Sequence, residues 1–577
     1  MRVETVLALV ISSSCLFSQP RKDYYDAQQK QLKSETEYHK GMPHGIHREF
    51  HRNGKVSLFG LYEWGKEDST WTFYYDNGQK KAQESYENGR RQGTSVYYYR
   101  SGKKAQLTRH ENGQPDSTWT GWHENGNVKS VENFDGGKKT GEWSYFHENG
   151  QPDTKGNFRE DVRHGRVEAY SKSGKLVSVK NYCSDAPCGR WEEYYDDGKK
   201  KFVKEYRDSS EYLMELYDEK GKAVISNGNG TLTAHYDSGI IRAMGGYREG
   251  LQDGVWRFFH PNGKLDYEAT YQRGMLEGYY SSYYKNHKIK SEGNFVSGKK
   301  NGLWKFYYEN GSPEMHGPLK ENKREGDWKY YYDNGKVESE GKFADDKKTG
   351  TWTVYYKTGE KWRQGDYDED RKQGVWTTWW ENGNKLQEGP YIDGVENGLW
   401  TSWWENGQKK DEGTILGKKL VSDWKGWYSN GKLNYEGRYN QNGARDGEWK
   451  YYYESGKPRE LSTYVNGIKH GKYVQWHEKG DFVDTKGQYE KGHQDGEWTY
   501  YYETGGISRI QNFREGQLSG KSVSYYTNSV LQGVSYYTII DDRRKGKTRS
   551  VPDGEWIFYD KNGKEISRVH YNKGERR

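Results

Sequence analysis

Glycines at Gly54, Gly78, Gly102, Gly126, Gly150, Gly174 and Gly198 stand 24 residues apart, and no other feature of the chain limits its fold so strongly. The spacing is interrupted once, around Gly221 and Gly239. It resumes at Gly263, and His287 holds the next turn before Gly311, Gly335, Gly359, Gly383, Gly407 and Gly431. Single insertions carry it on to Gly456, Gly480 and Gly505. Ser529 takes the following turn, and a ten-residue insertion rich in Asp, Arg and Lys precedes the last at Gly563. A fixed period of this length means a tandem array in which each unit buries its apolar face against its neighbours.

The unit Ser291 to Gly311 reads as two strands and two turns. Asn-Gly is a strong hairpin signal, and we read Asn310-Gly311 and its equivalents as two-residue type I′ turns with positive φ at both central positions. The expected fold class is therefore all-β, an antiparallel array of about twenty-two tandem hairpins. Composition agrees only through repetition: hydrophobic residues make up 31% of the 577, a fraction low enough for a disordered chain, yet 53 Tyr, 23 Trp and 72 Gly belong to strands and turns.

If Asn334-Gly335 is a two-residue turn, Tyr332 opposes Val337, Tyr330 opposes Ser339 and Trp328 opposes Gly341. The same rule pairs Trp304 with Gly317, Trp352 with Gly365, Trp376 with Gly389, Trp400 with Gly413 and Trp424 with Gly437. Each indole is expected to lie over the bare backbone of the glycine opposite it.

Glu292-Gly-Asn-Phe295, then Gly298-Lys, Gly302, Trp304 and Tyr308 before Asn310-Gly311 resemble the MORN repeat in its bacterial variant, over roughly residues 40 to 577. The resemblance implies hairpins added side by side into an elongated, twisted, single-layer sheet, and a protein-binding or lipid-associated role. Cell-wall choline-binding repeats share Gly-x-Trp-x-Tyr-Tyr but have a shorter period and lack the Glu-Gly-x-aromatic half. The units near Gly221 and Ser529 depart from the pattern, as does the first, where His47 replaces Trp. The expected organisation is a signal peptide at 1–18, a lead-in at 19–40, a repeat block at 41–212, an irregular joint at 213–245 and a second block at 246–577 with its insertion near 538–552.

Arg2 before the apolar run Val6 to Ile11, with small residues to Ser18, reads as a secretory leader cleaved after Ser18. Cys15 offers a lipidation alternative, though Ser12 stands where a lipobox carries Leu. An exported chain is expected in the periplasm, at the outer membrane or outside the cell. Cys183 and Cys188 flank a turn and are candidates for a local disulfide there. The 91 basic and 84 acidic residues leave +7 with no basic block, so nucleic acid is not an expected partner.

No nucleophile elbow, zinc-protease helix, phosphate loop or dinucleotide fingerprint occurs in a fitting context, and no enzyme, cofactor or metal is expected. His123, His147 and His260 replace Tyr at a strand end. Asp366, Asp368 and Asp370 open like a calcium loop, but Arg371 stands where glycine is required and Thr377 where the closing Glu belongs.

Four positions before each turn glycine, opposite the Trp face, an aromatic recurs, including Tyr307, Tyr331, Tyr355, Trp379, Trp403 and Trp427. One reading has these rings packed on Lys, Arg and Glu stems. The other makes them an extended contact stripe, best developed at the three Trp residues. The expected function is a non-enzymatic scaffold for a protein or cell-envelope partner; the alternative is a carbohydrate- or lipid-headgroup-binding module using the stripe.

Overall fold

The computed structural model describes residues 19–479, 481–542 and 547–577. The leader read at 1–18, the turn at Gly480 and residues 543–546 of the insertion lie outside the described residues. Among the described residues there are 53 strands and no helix, so the chain is the all-β array of hairpins that its period requires. It divides into two compact units, residues up to 263 with 268–276, and 264–267 with 277–577.

In the second unit, neighbours in sequence pair antiparallel. Gly326–Tyr331 pairs with Val337–Ala344, which pairs with Lys347–Tyr355, and so on. The first unit follows the same rule from Leu32–His39 onward. The expected joint at 213–245 lies inside this unit, where the short strand Ala223–Ser226, with Ile225 fully buried, replaces a full-length one.

The two turns of each repeat differ, and the type I′ assignment belongs to the other one. At Asn334-Gly335 the loop has three residues. Tyr332 N–H donates to Lys336 O and Gly335 N–H to Tyr332 O, and Gly335 alone is left-handed, at φ +83°. This is a type I turn followed by a glycine bulge. Tyr331, not Tyr332, therefore opposes Val337; a second bulge at Glu338 then restores the expected pairs Tyr330 with Ser339 and Trp328 with Gly341. The type I′ turns are those eleven or so residues on, such as Ser297-Gly298 (φ +50° and +76°) between Val296 and Lys299.

Asn334 stands in its loop for its carboxamide. Its Oδ1 accepts the Lys336 N–H at 3.0 Å, closing its own turn, and its Nδ2 donates to Lys357 O in the next repeat at 3.1 Å. Asn286, Asn310, Asn382 and Asn406 make the same reach forward.

All the expected tryptophan–glycine pairs are in register. The rings, however, lean the other way: Trp328 covers Gly317, Trp352 covers Gly341 and Trp376 covers Gly365, each indole lying on the glycine of the strand before its own. The bulge explains this. Opposite Gly341 the strand Lys347–Tyr355 spends extra residues, with Gly350 left-handed, and the register jumps from Glu340 with Thr353 to Lys342 with Thr349. The Trp352 N–H then donates to Lys342 O at 3.0 Å, as Trp304 does to Asn294 O and Trp376 to Asp366 O. Trp304, Trp328, Trp352, Trp376 and Trp424 are each tied across the I′ turn in this way, with 0–8% of their surface exposed. The gross hydrophobic gain is on the order of 5 kcal/mol per ring.

Where the glycine is replaced, the residue above it is in places smaller than Trp. Tyr473 faces Ser462 and Ser522 faces Gln511 in the same register. In the first unit Gln83 pairs with Val96, which brings Glu84 beside Ser95 where another repeat has Gly and Trp. Glu84, 5% exposed, fills the space an indole would take and accepts from Tyr86 OH, Tyr97 OH and Arg91 Nη2 at 2.7–3.0 Å.

Two outcomes follow. Gly341→Ala puts a Cβ into the Trp352 ring and should destabilise its own repeat by about 1–3 kcal/mol, read as faster amide exchange confined to the adjoining strands. Ser95→Trp and Glu84→Gly should each lower the thermal midpoint, while the double variant recovers it. The coupling in that cycle should exceed about 1 kcal/mol.

Candidate functional site

The face opposite the indoles carries the aromatic stripe. Its six rings sit at the ends of parallel rows, two strands apart, and all are half-buried. Tyr307 OH donates to Glu292 Oε1 at 2.8 Å and Tyr355 OH to Glu340 Oε1 at 2.7 Å, while Tyr331 stacks on His316 with centroids 5.6 Å apart. Lys361, Lys385 and Lys409 set their ammonium groups over Trp379, Trp403 and Trp427 at 5.8, 5.4 and 5.6 Å. Every ring thus meets a side chain from the strand before it and stays partly open to solvent.

Beside Trp379 and Trp403 the face changes chemistry. In some repeats a cross-strand ion pair occupies the middle row, as Lys305 with Glu292 and Lys329 with Glu340. Here, as at Thr353 in the repeat before, threonines hold that row. Thr377 Oγ1 donates to Glu388 and Thr401 Oγ1 to Glu412, and those carboxylates also bind Lys385 and Lys409 at 2.7 and 2.6 Å. The result is a run of indoles edged by hydroxyl, carboxylate and ammonium groups.

A second aromatic column, three positions before the turn glycine, was not singled out from the sequence, although its constant offset is visible there. Tyr308, Tyr332 and Tyr356 donate to the backbone carbonyls of Tyr331, Tyr355 and Trp379 at 2.7–2.8 Å, and the Trp380 and Trp404 indoles to those of Trp403 and Trp427. These bonds fix the strand ends that carry the stripe. His123 and His147 replace Tyr in this column and keep the contact, each Nε2 lying 2.8 and 3.2 Å from the corresponding carbonyl.

Cys183 and Cys188 are joined by a disulfide around the Ser184-Asp185 turn, with Cα atoms 5.7 Å apart. Asp366 accepts from Thr351 Oγ1, and Asp370, left-handed in its turn, accepts the Lys348 N–H. These contacts account for two of the three calcium-like aspartates. Among the described residues no three metal-ligating side chains converge.

Eleven segments match the family model described as MORN repeat variant: residues 67–88, 139–160, 187–208, 252–273, 300–321, 324–345, 372–393, 420–441, 445–466, 494–515 and 552–573. The chain is a MORN-repeat protein of the variant type. The matched segments share one phase, each running from the indole strand through the three-residue loop into the glycine strand. No curated protein matches the chain. Similar solved structures are the crystal structures of TcdB2-TccC3-Cdc42 (10% identity over 94% of this chain and 34% of that one, TM-score 0.12) and of TcdB2-TccC3 (11%, 96%, 35%, 0.13). A third is the Photorhabdus luminescens Tc holotoxin pore carrying TccC3-D651A (11%, 96%, 35%, 0.12). The MORN-repeat chain spans about a third of the length of those chains, and at these TM-scores the likeness says nothing of what it binds.

Burial, then the hydrogen bond to a carboxylate, pushes Tyr307 and Tyr355 up to about 12, and Tyr194 and Tyr279 likewise. A folded pKa above the unfolded value of 10 means that this stabilisation is whole below pH 10 and is lost as pH rises toward 12. The thermal midpoint should therefore fall steeply between pH 10 and 12, with tyrosinate absorbance appearing together with unfolding. Full tyrosinate absorbance near pH 10 from an intact fold would contradict the packing described.

Proposed function

We propose that the chain is an exported, non-enzymatic MORN-repeat scaffold that holds a protein or cell-envelope partner along the face opposite its indoles. The observation that carries this reading is the segment Trp379, Trp403 and Trp427. In it half-open indoles recur every two strands, edged by the Thr377 and Thr401 hydroxyls, the Glu388 and Glu412 carboxylates and the Lys385 and Lys409 ammonium groups. Partly exposed Trp edged by polar groups is the composition of interaction hot spots. MORN repeats suggest a repeat-based binding scaffold, and the extended face of tandem units suits one.

The hydroxyl, carboxylate and ammonium groups around these indoles also suit a glycan, whose rings stack on aromatic faces, and lysines interleaved with Trp suit a lipid headgroup. That carbohydrate- or headgroup-binding module is the second reading.

Replacing Trp379, Trp403 and Trp427 together by Ser should abolish capture of the partner from envelope fractions while strand content and indole burial stay unchanged. Glycan and liposome pull-downs run beside it separate the two readings. Loss of folding together with binding would mean that the stripe serves packing alone.

A further inference from the structure

Beyond the stripe, the same face carries an apolar patch flanked on both sides by charged side chains. Val375 (59% exposed) precedes Trp376 and Leu399 (58%) precedes Trp400, so alternation turns both away from the buried indoles. Pro390 pairs with Val375, Ile392 with Val395, and Leu416 follows one repeat after Ile392. These six side chains lie on four consecutive strands, Arg371–Trp379, Lys385–Ile392, Val395–Trp403 and Lys409–Leu416. They offer on the order of 400 Å² of apolar surface, as much as the largest patch of an ordinary monomer.

The rims of the patch carry opposite charge. In the repeat before, the equivalent positions hold Asp366 and Asp368, with Arg371 opposite Asp368. In the repeat after, they hold Lys419 and Arg438, with Asp423 opposite Arg438. One rim is thus two carboxylates to one cation, the other two cations to one carboxylate.

We infer that this face is a self-association surface whose occupant is a second copy of the chain. A twofold axis lying in the interface and running along the strands sets each copy's acidic rim on its partner's basic rim and the two apolar patches on each other. An axis across the strands sets like on like. With the rims included, the two copies bury on the order of 1,000 Å², which reaches the range of specific association. The contact lies apart from the ring contacts of the stripe and does not depend on what the stripe binds.

Sedimentation of the full chain across concentration tests it. The wild type should pass from monomer to dimer in the micromolar range, and Leu399→Lys should weaken this at least about tenfold. D366K/D368K should self-associate poorly, as should K419E/R438E, each having made its two rims alike; an equimolar mixture of the two should dimerise again, because the complementary contacts return in the heterodimer. Circular dichroism of each variant checks strand content. A wild type that stays monomeric to about 100 µM, a mixture no better than its components, or a monomer that uses these side chains to bind glycan or vesicles overturns the inference.

Discussion

An indole laid on bare backbone of the strand before it is the contact on which the array depends. A single hairpin of this chain has little to bury, and isolated hairpins are marginal in water. The bulge at Gly350 and its equivalents lets the Trp side chain turn back across the I′ turn, cover a glycine and tie its N–H to a carbonyl where the ladder shifts. One residue type thereby supplies apolar burial, a hydrogen bond and a link between successive strands. Lysines complete the box: Lys300, Lys348 and Lys372 sit 4.2–4.5 Å from the centroids of Trp304, Trp352 and Trp376, and burial lowers the pKa of each. Because indole and lysine share one strand and the glycine they cover lies on the strand before, each repeat is completed by the next, which is why the period has to be kept.

The inner face is thus committed to holding repeats together, and variation there is compensated locally, as where Glu84 fills the space left by Ser95. The outer face is under no such demand. Several repeats spend it on Lys–Glu pairs, such as Lys305 with Glu292 and Lys329 with Glu340, which add little to stability at an exposed surface. The repeats from Arg371 to Leu416 combine threonines in the middle row, Trp in the stripe and exposed aliphatic side chains near the I′ turns.

How much of this the sequence disclosed depended on which strand neighbour a residue answers to. The hairpin partners of Trp328 and Trp352 were legible, since a turn and a count place Gly341 and Gly365 opposite them. The lean of the ring was not, because a glycine in an antiparallel sheet has two neighbouring strands, and the bulge that chooses between them lies in the left-handed glycine of Gly-x-Trp. Asn-Gly likewise fits both a two-residue and a three-residue loop. The three-residue form recurs at Thr358-Gly359 and Ser101-Gly102 as well, so it belongs to the repeat and not to the Asn-Gly pair alone. The stripe at Trp379, Trp403 and Trp427 could be placed by counting, whereas its lysines required pairing across the second turn. Val375 and Leu399 stand in the x of Gly-x-Trp, a position that also holds Asp327, Thr351 and Asp423, so the motif alone does not show an apolar patch there.

The most direct test of the central contact is the proton shift of glycine Hα in a selectively labelled chain. Gly317, Gly341, Gly365 and Gly389, lying under the indoles of Trp328, Trp352, Trp376 and Trp400, should show strong upfield ring-current shifts. Each shift should vanish when the tryptophan eleven residues later is replaced by Leu, while Gly335 and the other loop glycines stay near their ordinary values. Covered glycines with ordinary shifts, or shifts that answer instead to the tryptophan thirteen residues earlier, would contradict the account.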